Sequence, residues 1–252
     1  MGTTRANFVA SAVAIAAVGL LSVSTMARAD IIPFGTVDVG GQGFGAFPRL
    51  LTLDTPAHST TETGAVTVSG TGVQSGTGDL SGGPNIPTNQ NGARTIGELG
   101  WTSPNSVAIG LNANQTGADL SLTVTNLVMT VYNATFGIAG TFSLKAPVTL
   151  TENDVKIQQG NGNALFEFVL DATQQGIFNT ILALANSSTF LVALSATMTN
   201  ANDGADSFLG IPGTATITPV PLPPALLLFG TALAGMGFLG RRRRNKTGVV
   251  QA

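Results

Sequence analysis

Residues Ala118 to Tyr132 read ADLSLTVTNLVMTVY. Leu120, Leu122 and Val124 fall on one side of an extended chain, and Ser121, Thr123 and Thr125 on the other. That period of two is the mark of a half-buried antiparallel strand. At Asn126 the alternation breaks, then restarts as Leu127, Met129 and Val131. Similar short runs recur at Arg49 to Leu53, Ala65 to Val68, Val107 to Leu111, Phe136 to Leu144, Leu165 to Leu170 and Phe190 to Met198, with Gly, Asn, Asp and Pro between them. Short strands punctuated in this way predict a mostly β fold, a single antiparallel β-sandwich of jelly-roll type. One segment departs from the pattern. Ala172 to Leu184 spaces Ile177, Ile181 and Leu184 at helical intervals, which predicts one helix, although Gly176 weakens it by about 1 kcal/mol relative to Ala.

Two stretches carry little apolar material. Ser69 to Gly92 is almost entirely Gly, Ser, Thr, Asn, Pro and Gln and reads as a flexible loop. Asp30 to Phe47 is Gly-rich with isolated Phe34, Phe44 and Phe47 and reads as an edge strand. Asn112 to Asp119 (NANQTGAD) resembles Asn200 to Asp206 (NANDGAD), but the flanks differ, so two similar turns are expected rather than a repeat.

The 252 residues include no Cys, so no disulfide staples the fold and no thiolate serves as nucleophile or metal ligand. Seven of the eleven basic residues lie in the terminal segments. All thirteen acids lie between residues 30 and 219, where only Arg49, Arg94, Lys145 and Lys156 oppose them, for a formal charge of −9. A body so acidic lacks the basic footprint of a nucleic-acid binder.

Both ends read as addresses. Arg5, the apolar stretch Phe8 to Val23 and Ala27-Arg28-Ala29 form a signal peptide over residues 1–29, with Ala27 and Ala29 as the signal peptidase site. At the other end VPLPPA (Val220, Pro221, Leu222, Pro223, Pro224, Ala225) leads into an apolar helix at 222–240 and the cluster Arg241, Arg242, Arg243 and Arg244. The eighteen uncharged residues from Leu222 to Leu239 make about 27 Å of helix, close to a hydrocarbon core. The arginines hold the tail on the cytoplasmic side and leave 30–219 as an extracytoplasmic domain.

This order of Pro-rich motif, apolar helix and arginine cluster resembles the PEP-CTERM class of bacterial sorting signals, and Val220 to Pro223 looks like its VPLPA variant. Pro224 stands where that variant has alanine, with Ala225 following. The resemblance covers residues 220–246. It implies recognition by an exosortase, a membrane-embedded cysteine transpeptidase of Gram-negative bacteria. It also implies transient anchoring in the inner membrane, release to the cell surface or extracellular matrix, and a setting in the exopolysaccharide or biofilm layer.

Catalytic signals are poor. His58, the only histidine, sits in the polar stretch PAHSTTET, and no G-x-S-x-G elbow occurs, so a Ser/His/Asp hydrolase is not indicated. One His and no Cys cannot supply a catalytic zinc. Glu62, Glu98, Glu152 and Glu167 are the candidates for the paired carboxylates of a glycoside-acting enzyme. Trp101, beside Glu98 in TIGELGW, is either a sugar platform or a buried cap on the core. Calcium is the one cofactor candidate. Asn200, Asn202, Asp203 and Asp206 surround Gly204 with oxygen side chains, although no bidentate Glu follows.

The expected function is therefore that of a non-catalytic exported surface or matrix protein. Its partners are signal peptidase, exosortase, the membrane before processing, and matrix polysaccharide. The rivals are a carbohydrate-binding module, a single-span membrane-anchored adhesin and a secreted glycoside-acting enzyme.

Overall fold

The computed structural model describes residues 30–38, 44–115, 120–158, 164–202 and 204–213. The expected signal peptide with Ala27 and Ala29, the Val220 to Ala225 motif, the helix at 222–240, the Arg241 to Arg244 cluster and Asp203 lie outside these residues.

The fold is mostly β, one curled mixed sheet. Its strands are β1 (Asp30–Asp38), β2 (Arg49–Asp54), β3 (Thr61–Val68), β4 (Gln74–Gly78), β5 (Arg94–Thr95), β6 (Val107–Asn112), β7 (Leu122–Tyr132), β8 (Ile138–Leu144), β9 (Val148–Leu150), β10 (Ala164–Leu170), β11 (Leu191–Thr199) and β12 (Ala205–Pro212). The main path runs β2-β12-β6-β10-β1-β8-β7-β11-β3-β4, with β5 paired to β11 and β9 to β7. Every pairing is antiparallel except β1 with β8, where Asp30 faces Ser143 and Ile31 faces Leu144. The expected edge strand is thus central: β1 lies between β10 and β8, because Ile31 to Asp38 pairs along the whole of β10.

The broken alternation at Asn126 is a bulge within one strand. Thr197 of β11 faces Asn126, but the next residue, Met198, faces Val124. The extra residue lets Thr125 and Asn126 both point outward while Val124 and Leu127 stay fully buried. Strand β12 was not anticipated: Ser207 to Ile211 is buried throughout, but Asp206, Ser207 and Gly210 break up its apolar residues.

The stretch read as a flexible loop instead links the two ends of the path. After β4 the chain runs alongside β2: the Asp54 amide donates to the Asp79 carbonyl at 2.9 Å and the Ser81 amide to the Thr52 carbonyl at 3.0 Å. Leu53 bridges Leu80, and both are buried. Asn91, fully buried, accepts from the Thr52 amide at 2.7 Å and donates to the Ser81 carbonyl at 2.8 Å. Arg94 reaches back to the Arg49 and Thr88 carbonyls. A polar sequence forms ordered structure here because its polar groups satisfy the open edge of β2.

The helix expected at Ala172 to Leu184 is α2 (Ala172–Leu182). Asp171 caps it by accepting from the Gln174 amide at 2.8 Å. An additional short helix, α1 (Glu152–Gln158), had a readable start signal in Thr151 and Asp154. Thr151 donates its amide to the Asp154 carboxylate at 2.9 Å and the Asp154 amide donates back to the Thr151 hydroxyl oxygen at 3.4 Å, the reciprocal arrangement of a capping box. Phe178 and Ile181 of α2 join the main core, where Phe178 meets Trp101 edge-on with ring centres 6.1 Å apart. Among the described residues no helix is long and apolar enough to cross a membrane.

Candidate functional site

Among the described residues, titratable side chains gather in the interior at the end of the sheet where β12 begins. Asp206 follows the turn before β12, and its parity matches Phe208, which faces the main core. Glu62 is the second residue of β3, on the inward parity of Val66 and Val68. Both side chains are completely buried, and the two carboxyls lie close enough to share a proton.

Each oxygen of Asp206 already has a donor: the Asn114 amide at 2.5 Å and the Gln115 side-chain amide at 2.9 Å. Glu62 accepts the Thr55 hydroxyl on Oε1 at 2.5 Å, while no group donates to the buried Oε2. Two carboxylates in a buried contact have no hydrogen between them, so the contact is a hydrogen bond only when one of them carries a proton. Burial and the neighbouring Asp206 charge push Glu62 up to about 8. Burial likewise pushes Asp206 up to about 6, against the hydrogen bonds from Asn114, Gln115 and Glu62 that favour its charge. The pair titrates as a unit, with Glu62 the holder of the proton at neutral pH.

The two similar turns noted in the sequence meet here. Gln115 donates to Asp206 and accepts the Asn202 amide at 2.8 Å. Ala113 and Ala201, the middle residues of the two Asn-Ala-Asn triplets, are both buried in the core. Asn200 takes a left-handed backbone (φ 62°) at the turn. Asp206, expected as a calcium ligand, is turned inward and its oxygens are spent on protein donors. Asn202 is half-buried, with its amide committed to Gln115. Among the described residues no group of three or more His, Asp or Glu is arranged to hold a metal ion.

The other expected site residues are scattered. Trp101 takes the second of its two possible roles, the buried cap: it is 1% exposed and its indole N–H donates to the Ile211 carbonyl at 2.9 Å. Tyr132 is buried as well. Glu98 is exposed and accepts the Thr95 amide and hydroxyl in its own turn. Glu152 is exposed at the start of α1, and Glu167 is buried in β10 with Leu165 and Val169 on the face opposite Phe166 and Phe168. His58 is exposed in the β2–β3 turn. The carboxyl that meets Glu62 is therefore Asp206, a pairing that sequence reading missed because it assigned the two acids to different chemistries. A sugar cannot enter between them, since inverting and retaining glycosidases alike hold their carboxyls about 5 Å or more apart across an open cleft. No family model, no curated protein and no solved structure matches this chain.

Proposed function

We propose that this is a non-catalytic exported protein of the cell surface or extracellular matrix of a Gram-negative bacterium, anchored for a time in the inner membrane and cleaved at its C-terminal signal by an exosortase. The observation that carries the reading is the order of Val220 to Ala225, the apolar helix and Arg241 to Arg244 behind an N-terminal signal peptide. In the same reading the curled sheet is a jelly-roll-like sandwich. Its support is one core shared by strands from both ends of the path, with Leu50 and Leu53 of β2 packed in the same cluster as Val66, Met129 and Leu194.

Matrix polysaccharide is the partner in this reading, and the outward face of β9, β7, β11 and β3 supports it. Thr149 faces Thr123, Thr123 faces Thr199, and Thr199 faces Thr61, making one row of four threonines across the strands. In the next row Thr197 and Thr63 share a hydrogen bond at 2.9 Å, as do Thr123 and Thr149. Neighbouring strands stand about 4.8 Å apart and every second residue repeats at about 6.8 Å, so hydroxyls and methyls alternate regularly on a face these rows leave uncharged. Such a face offers hydrogen bonds to a neutral sugar polymer without repelling it.

The test is the intact mass and location of the chain in its own host, with and without Val220 to Pro223 replaced by alanines. A wild-type product lacking residues 1–29 and everything beyond the Pro-rich motif, recovered outside the cell, is expected. A wild-type product that keeps Arg241 to Arg244 and stays with the membrane refutes cleavage and favours the anchored adhesin.

A further inference from the structure

The Glu62–Asp206 contact joins strands that are not neighbours in the sheet. Strand β3 pairs with β11 and β4, whereas β12 pairs with β2 and β6. The contact is therefore a side-chain tie across that end of the core. Asn114 and Gln115 after β6 and Thr55 after β2 hydrogen-bond to it directly, and Asn202 before β12 is tied to it through Gln115. We propose that this contact is a proton-operated latch: a single proton shared between two buried carboxyls holds β3 to β12 and the two Asn-rich turns, and its loss loosens that end of the sheet.

The charged groups that reach Glu62 are all acids: Asp206 on β12, Asp54 at the end of β2 and Asp79 after β4. His58, in the adjoining turn, is exposed and is not among them. With no cation among the described residues to neutralise it, a second negative charge in the pair is buried beside Asp206 and is repelled by Asp54 and Asp79 as well. The direction follows from linkage. Both carboxyls hold their protons more tightly folded than unfolded, so their contribution is fully present in acid and is lost as pH rises. The loss begins below neutrality and is complete once Glu62 ionises, near pH 8. Between these limits each proton retained only in the folded state raises the unfolding constant by up to about tenfold per pH unit.

The experiment follows thermal unfolding and the exchange protection of the Asn114 amide in the full chain from about pH 5 to about pH 9.5, beside Glu62→Gln. The glutamine keeps an acceptor for Thr55 and a donor for Asp206 but has no proton to lose. Above about pH 7, beyond the titration of Asp206, the wild type is expected to go on losing protection at Asn114 while Glu62→Gln stays level. An equal slope in both chains, or a level wild type, overturns the latch. Infrared spectroscopy of the wild type reads the same proton without any substitution: a protonated carboxyl band present at neutral pH and gone above about pH 9 is expected, and its absence at neutral pH overturns the latch.

Discussion

Replacing Asn91 by alanine tests whether the 69–92 stretch closes the sheet or merely decorates it. The side chain is fully buried and serves two backbone groups on opposite sides of the seam, the Thr52 amide of β2 and the Ser81 carbonyl. Alanine removes both partners at once and admits no replacement from a neighbouring side chain. A buried amide left without an acceptor costs about 1–3 kcal/mol, and the half-buried carbonyl, with a second lone pair, costs less. The sum is roughly 2–4 kcal/mol, or about 5–15 °C in melting temperature for a domain of this size. The assay is thermal and denaturant unfolding of Asn91→Ala beside Asn89→Ala, whose exposed side chain lies two positions away. The control is expected to stay within about 0.5 kcal/mol of the parent. If Asn91→Ala also unfolds within that margin, the seam does not hold the sheet and a loose polar spacer is the better description.

Two further substitutions probe different parts of the argument. Gly78 sits at φ 83°, where an added Cβ would run into the Thr63 carbonyl and the Gly64 backbone. Gly78→Ala is therefore expected to cost about 2–4 kcal/mol in the same unfolding assay, from left-handed strain and the clash together. Trp101→Phe removes the indole N–H that satisfies the buried Ile211 carbonyl and is expected to destabilise by about 1–3 kcal/mol. Because the ring faces the core, the same variant should bind matrix polysaccharide as the parent does in a co-sedimentation assay. A selective loss of binding would restore Trp101 as a sugar platform.

Much of the strand content was legible because alternation is a local property. Leu122 and Val124 face inward and Thr123 outward whatever strand lies beside them, and the runs at Ala65 and Phe190 became strands for the same reason. Those at Arg49, Val107 and Leu165 were legible instead as short apolar runs between turn residues and are buried almost throughout. Asp171 before Ala172 and Thr151 with Asp154 are both helix-start signals present in the sequence but not used. β12 was hidden because Asp206, Ser207 and Gly210 break up its apolar residues, leaving neither an alternation nor a continuous apolar run to read.

By itself the sequence determined the lack of thiol chemistry, the acidic body and the β periodicity, all of which depend on composition or on neighbours a few residues apart. Only the tertiary structure decided that β1 runs through the middle of the sheet, that a polar stretch seals β2, that Trp101 turns inward, and that Glu62 meets Asp206. Each of these depends on which distant backbone edge or side chain satisfies a buried polar group. A local pattern shows only that such a group needs a partner; the fold supplies it.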